Sequence, residues 1–361
     1  MKLSYCDTYE RTQKYAAAFW AHEMIDRPMI CVTSPKRGMT LPTEGVFQNP
    51  RTGYLAATTG DYGPIFDTFE KVAAATFYGG EALPWFDINL GPDIYAGFLG
   101  AKIRCVPHSD TTWAAPVVED WADFEVAIDR SPDGYFEQTR RYIQYAVERS
   151  EGKYLTAMMD LHGNMDAMSA LRGPEDLCCD LLECPDDVYA KLQEINGTWR
   201  EIYDMIYDTS RHAERGVLGW TPFFCMGRFA VLQCDFICMI GQDMFRRYVL
   251  PSIQREAAQL DHCIFHLDGP DALRHLDDIL TIPEIDCVQW IPGDGQPRTV
   301  EWMDVLKRIQ AAGKSTQLHD WTPEELRTRL GELDPSLVCI NLSVPTQDEA
   351  ESLLEYLTKH T

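Results

Sequence analysis

The chain has 361 residues, 45% of them hydrophobic and 24% charged, and its 56 Asp and Glu against 32 Lys and Arg give a net charge of −24. That is enough chain for one large α/β barrel, with the composition of a globular protein. So acidic a surface repels phosphate backbones and anionic headgroups, so no nucleic acid and no membrane partner is expected, and no run approaches the length of a membrane span.

Tyr5 to Glu23 reads as a charged amphipathic helix ended by Asp26-Arg27-Pro28, so residues 1–25 are expected to form an N-terminal helical extension without the apolar core of a signal peptide. Met29–Thr33 (MICVT) is the first apolar strand, followed by a Gly/Pro-rich loop from Ser34 to Tyr54 and a helix over Tyr62–Tyr78. Leu83–Leu90 is the second strand. Residues 92–118 read as an irregular insertion with a hairpin near Lys102–Val106. Asp120–Arg149 is helical with a break at Ser131–Gly134, and Tyr154–His162 is the third strand. Helices over Asp166–Leu182 and Asp186–Arg211 follow, then a fourth strand at Val217–Cys225 and a long helical stretch from about Ala230 to Leu260.

The last third of the chain is the most regular. CIFHLDG (Cys263–Gly269), CVQWIPGDG (Cys287–Gly295), KSTQLHD (Lys314–Asp320) and LVCINL (Leu337–Leu342) are short apolar, β-prone runs that end in polar groups, with helical stretches after each. The count is eight strands, each followed by a helix, with no internal repeat. It predicts a single (β/α)8 TIM barrel over residues 1–361, whose strand ends deliver the active site at one face. No glycine-rich dinucleotide turn follows any strand, which argues against an open doubly wound sheet.

The polar groups at those strand ends are the site candidates: Asp87 and Asn89, Asp160 and His162, Trp220, His266 and Asp268, Gln289 and Trp290, His319, and Cys339. His266 and Asp268 stand two apart on one strand and face the same way. Imidazole, carboxylate and thiolate all suit a divalent metal such as zinc, so His266, Asp268 and Cys339 form the candidate ligand set. A metal with an open position there would take the proton from a thiol or a water. Asp87, between Phe86 and Ile88, is a carboxylate in an apolar strand, suited to stabilising a developing positive charge. His162, His266 and His319 are the candidate proton carriers. The plainer readings are that Asp268 caps a helix and that the histidines pack. The 12 Cys follow no short repeated spacing and many lie in apolar runs, which predicts buried thiols and a reducing cytoplasm.

On these residues the chain resembles the uroporphyrinogen decarboxylase superfamily, which includes corrinoid-dependent methyltransferases and is akin in structure to cobalamin-independent methionine synthase. The resemblance is carried by Asp26-Arg27-Pro28, WFDINLG (Trp85–Gly91), Leu171-Arg172-Gly173, the run Gln233–Pro251, FHLDG and LVCINLSVPTQDEA. It implies that Asp87 matches the essential aspartate of the decarboxylases. Their arginine-rich motif is absent, and VTSPKRGM offers only Lys36 and Arg37. In the methyltransferase branch zinc is held by His-x-Cys and by a late Cys. His266 matches the His, Asp268 stands in place of the first Cys, and Cys339 lies close to the last; Gln289 lies near a Glu ligand of the methionine synthases.

The resemblance thus implies an enzyme that moves a methyl group between a small substrate or thiol and the corrinoid of a partner protein, with zinc or another divalent metal assisting. Asn89, Trp220, Gln289 and Trp290 would line the substrate site, and a homodimer is an expected assembly. The rival expectations are a metal-independent decarboxylase or lyase of a small carboxylated, pyrrole-like substrate, clamped by Lys36 or Arg37, and a non-catalytic tetrapyrrole- or corrinoid-binding protein.

Overall fold

A computed structural model describes residues 2–361. Its strands are β1 (Met29–Pro35), β2 (Thr76–Gly80), β3 (Trp85–Phe86), β4 (Lys102–Cys105), β5 (Thr112–Ala115), β6 (Leu155–Thr156), β7 (Phe229–Leu232), β8 (His262–Asp268), β9 (Cys287–Ile291), β10 (Ser315–Leu318) and β11 (Val338–Ser343). Seven of them form one sheet in the order β2-β1-β11-β10-β9-β8-β7. Every pairing in it is parallel except β1 with β2. β3 and β6 pair in parallel as a separate two-stranded sheet, and β4 and β5 form an antiparallel hairpin within residues 92–118.

The architecture is a mostly parallel central sheet wrapped by helices, a TIM-like arrangement, but the ladder does not close as the expected (β/α)8 barrel would. The ladder is open on both sides of the separate pair β3–β6: β1 is flanked by the antiparallel β2, and the expected fourth strand is missing. Val217–Cys225 is no strand; it folds back on itself through one antiparallel bridge, Val217 to Cys225. The run contains Gly219 and Pro222, and a proline has no N–H for a central ladder. Met158 N still donates to Leu218 O (2.7 Å), which ties β6 to this loop. The position beside β8 is taken by β7, the fully buried run FAVL, inside a stretch read as helix. β2 was also hidden, at the end of the helix expected over Tyr62–Tyr78. The last four strands lie at the expected runs, and the first helix spans Tyr9–Trp20. Among the described residues no helix is long and apolar enough to cross a membrane.

A buried ion pair fastens the start of the sheet. Arg27, just before β1, donates to both oxygens of Glu81, just after β2, at 2.7 and 2.8 Å. Glu81 also accepts from Ile30 N at 3.1 Å, and the Arg27 guanidinium lies 4.7 Å from the centre of the Tyr15 ring. Removing one partner leaves a charge stranded in the core. Arg27→Ala should therefore destabilise the protein by about 3–5 kcal/mol, and Arg27→Met with Glu81→Leu should recover most of that loss. Denaturant melts of the single and double variants check both; a double variant as weak as the single would show that the pair matters beyond its charge balance.

Candidate active site

The parallel strands all end at one face, and their last residues gather a carboxylate–imidazole cup. Its centre is His162. Nε2 lies 3.1 Å from Asp160 Oδ2, and Nδ1 lies 3.2 Å from Asp166 Oδ2. Burial opposes charging this imidazole, but the two flanking carboxylates hold its pKa well above the ordinary value, so it stands as an imidazolium at neutral pH. In return, and against its own burial, Asp160 is held below the usual carboxylate range, mainly by His162. Asp160 also accepts a hydrogen bond from Gln233 Nε2.

Asp166 does a second job. Its Oδ2 accepts from Asp235 N (3.0 Å) and its Oδ1 from Phe236 N (2.9 Å), which fixes the turn that carries the Asp235 side chain. Asp235 is open to solvent, yet the protein around it and the neighbouring Asp166 push its carboxyl up to about 6.

His266, on β8, faces Gln289, on β9, with Nδ1 and Oε1 2.5 Å apart. The Trp220 ring meets the His266 ring edge-on at 5.2 Å between centres. A carbonyl oxygen accepting at Nδ1 leaves Nε2 as the lone-pair nitrogen, the arrangement that suits a metal-binding histidine. Asp235, His266 and Asp268 each place a ligand atom within 4.8 Å of the others. Asp268 Oδ1 is buried with no hydrogen-bond partner.

Asp87 lies at the end of the second-strand region. Its Oδ2 accepts from Asn89 Nδ2 (3.2 Å), while Oδ1 is buried without a partner. Burial, with the Asp160 charge adding to it, pushes Asp87 up to about 7. Asn89 also caps the following turn by accepting from Gly91 N. His319 borders two neighbouring cavities, with its pKa lowered first by burial. One, of about 450 Å³, also takes in Cys31, Trp85, Trp220 and Asn341. On the other side of the cup a cleft of about 370 Å³ reaches His162, Asp166 and Asp235.

The structure thus gathers Asp160, His162, His266, Asp268 and Gln289, with Trp220 against His266 and Asp87 within the field of Asp160. Three expectations are corrected by position. Cys339 is fully buried, one inward position below Asn341, with its sulfur 3.8 Å from that of Cys287, and it does not join His266 and Asp268. Burial raises its pKa well above the ordinary thiol value, the opposite of what a thiolate ligand needs. Lys36 and Arg37 turn away: Lys36 Nζ donates to Ala74 O, and Arg37 pairs with Asp348 and Glu351. Trp290 points outward and packs edge-on against Trp302. Asp166, Gln233 and Asp235 are the members that sequence reasoning missed. Asp235 carried a usable signal, a lone charge inside the apolar run FAVLQCDFICMI.

No family profile matches the chain, and no curated protein matches it. Among solved structures it is similar to a methyltransferase from Methanosarcina mazei, with a TM-score of 0.62 and 11% identity over 96% of this chain and 98% of that one. At that identity the likeness is one of fold.

The Asp87 carboxyl gives a pH test. Its folded pKa lies above the unfolded value near 4, so the folded state favours the protonated form. The stability this contributes is complete below pH 4 and is lost as pH rises through about 7. Asp87→Asn, which keeps the neutral shape, should leave the melting temperature nearly unchanged at pH 4.5 and raise it by about 2–4 °C at pH 8. A difference that does not grow with pH would refute the raised pKa.

Proposed function

We propose that the chain is a metal-assisted methyltransferase whose site is the cup at the strand ends, with residues 1–361 acting as one barrel-like unit and residues 92–118 as an insertion over its mouth. The observation that carries the reading is the convergence of Asp235, His266 and Asp268 on one point, on a fold shared with a methyltransferase. The three groups fit a divalent cation: one imidazole oriented by Gln289, one exposed carboxylate, and one carboxylate with an unpartnered oxygen. Bound there, a cation would act as a Lewis acid and favour the anionic form of a ligand.

The chain's own residues supply the rest. The Asp160–His162–Asp166 array holds one positive charge fixed between two negative ones, so it can stabilise charge without reorganising. Asp87, half protonated near neutrality, can give or take a proton at Oδ1. Trp220 and Gln289 hold the His266 ring from two sides. The methyl carrier in this reading is the corrinoid of a partner protein, as the sequence resemblance suggests. The clamp required by the decarboxylase reading has little support, since Lys36 and Arg37 are engaged outside the cup.

Purified protein should contain about one divalent metal per chain. His266→Ala should lose it, Gln289→Ala should weaken the affinity by about 10–100-fold, and Cys339→Ala should keep it. Metal analysis with chelator competition checks these outcomes, and transfer of a methyl group to reduced cobalamin checks the activity. A metal-free wild type, or a His266→Ala variant that retains metal, would overturn the proposal.

A further inference from the structure

Behind the cup, away from the candidate metal ligands, lies a carboxyl without a counterion. Glu256, on the helix Leu250–Ala257, is 2% exposed, and among the described residues no cation faces it. It meets the Asn164 side-chain amide, whose Nδ2 stands 3.3 Å from Oε1 and 3.4 Å from Oε2. The same Nδ2 lies closer to a third acceptor, the main-chain oxygen of Gln233, at 3.1 Å. Three acceptors thus compete for one NH2 group. The charged or ionisable groups around Glu256 are Asp166, Tyr95 and Cys234, each from a different segment. Burial raises the Tyr95 phenol and the Cys234 thiol, so both stay neutral, and the Asp166 charge makes it harder for Glu256 to ionise.

Two orphaned atoms beside this pair match the two protonation states of the carboxyl. Asn164 Oδ1 is buried with no donor, and Trp199 Nε1 is buried with no acceptor. A protonated Glu256 has an O–H to give, and Asn164 Oδ1 is a free acceptor on the residue it already meets. A carboxylate has no proton to give and takes another N–H, which the indole can supply. Gly163 is all that stands between them: a Cβ placed there would lie 2.9 Å from Glu256 Oε1 and 3.7 Å from Trp199 Nε1. The missing side chain leaves the two within reach of each other. Burial, only partly opposed by the Asn164 hydrogen bond, pushes the Glu256 carboxyl up to about 8, so the change of state falls on the alkaline side of neutrality.

We infer that Glu256 is a positioning residue with two settings. Carrying its proton, it gives that proton to Asn164 Oδ1 and leaves the amide N–H on the Gln233 carbonyl. Having lost the proton to bulk water, it draws Asn164 Nδ2 and Trp199 Nε1 to itself and releases that carbonyl. The release matters because Gln233 Nε2 holds Asp160, and because Asn164 opens the helix Asn164–Arg172 that carries Asp166. Both carboxylates that clamp His162 are thus anchored through the residue on which Glu256 pulls. The His162 array is braced in neutral solution and loosens as the carboxyl ionises. The brace is independent of what the cup binds, so its test stands apart from metal content and methyl transfer.

Nuclear magnetic resonance of the full chain, labelled at indole and side-chain amide nitrogens, reads both ends, with Trp199→Phe and Gln233→Ala assigning the signals. The titration runs from about pH 6 to about pH 9.5, where ordinary glutamates stay ionised. The Trp199 indole proton should move downfield as it meets the carboxylate, and the Gln233 side-chain amide should shift with the same midpoint, about 8. Glu256→Gln, neutral at every pH, should show neither step at that midpoint. Asn164→Gly, which accepts the positive φ of that position, should keep the indole step and lose the Gln233 step. Infrared spectra of the wild type with isotope-labelled glutamate need no variant: a protonated glutamate band, shifted by the label where the Asp87 band is not, should be present at about pH 6 and vanish with the same midpoint. Absence of that band, an indole proton that does not move, or a step that persists in Glu256→Gln overturns the inference. A Gln233 step that survives in Asn164→Gly overturns the link to the cup.

Discussion

One imidazolium between two carboxylates organises the mouth of this protein. His162 cannot be neutral without leaving Asp160 and Asp166 as bare neighbouring anions, and neither carboxylate can lose the imidazolium without stranding its own charge. Everything else at the site hangs on this array. Asp166 grips the main chain of Asp235 and Phe236, so it decides where the Asp235 carboxylate stands. Asp160 holds Gln233 and, through its charge, adds to the burial that raises the Asp87 carboxyl. The backbone is shaped to allow it. Asn164 takes a positive φ of 43°, and a Cβ on Gly163 would come within 2.9 Å of Glu256 Oε1, so a larger residue there would have to displace that buried side chain. Behind it Glu256, pushed up to about 8 by burial, shares the Asn164 amide rather than adding another full charge at neutral pH.

How much of this was legible in the sequence follows from how each element is stabilised. The last four strands are covered on both faces and read as continuous apolar runs with polar ends. Their register puts His266 opposite Gln289. Strands β3 and β6 are only two residues long, and their neighbours follow the sheet without its full ladder, so their ends were misjudged. FAVL, four residues next to a helix-forming region, was absorbed into that helix, whereas Val217–Cys225 has strand composition but a proline and a glycine that turn it back. In each case tertiary pairing overrode a local pattern.

Depth is what the sequence concealed. Cys339 and Asn341 both point inward, because alternate residues of a strand share a face. Which of the two reaches the mouth is decided by the stagger of β11 against β1 and β10, where Cys339 lies level with Met29 and Gln317. The result is a sealed thiol packed on Cys287 and an amide at the rim. Side chains on loops were harder still. Lys36 and Arg37 lie close after the first strand, yet the acidic first turn of the last helix captures Arg37 through Asp348 and Glu351. With 56 acidic side chains to choose from, a lone surface arginine is far more apt to find a local partner than to cross into a cup.

That same excess of acid shapes the proposed ligand set. Replacing thiolates by Asp235 and Asp268 hardens the set around His266 and widens the choice of metal beyond zinc. It also changes what can approach. By formal charge the carboxylates of Asp160, Asp166, Asp235 and Asp268 stand against the one imidazolium of His162, so the mouth carries −3 before Asp87, half protonated near neutrality, is counted. A divalent ion would bring it to −1, still negative. An anionic methyl acceptor or donor works against that field even with the metal in place.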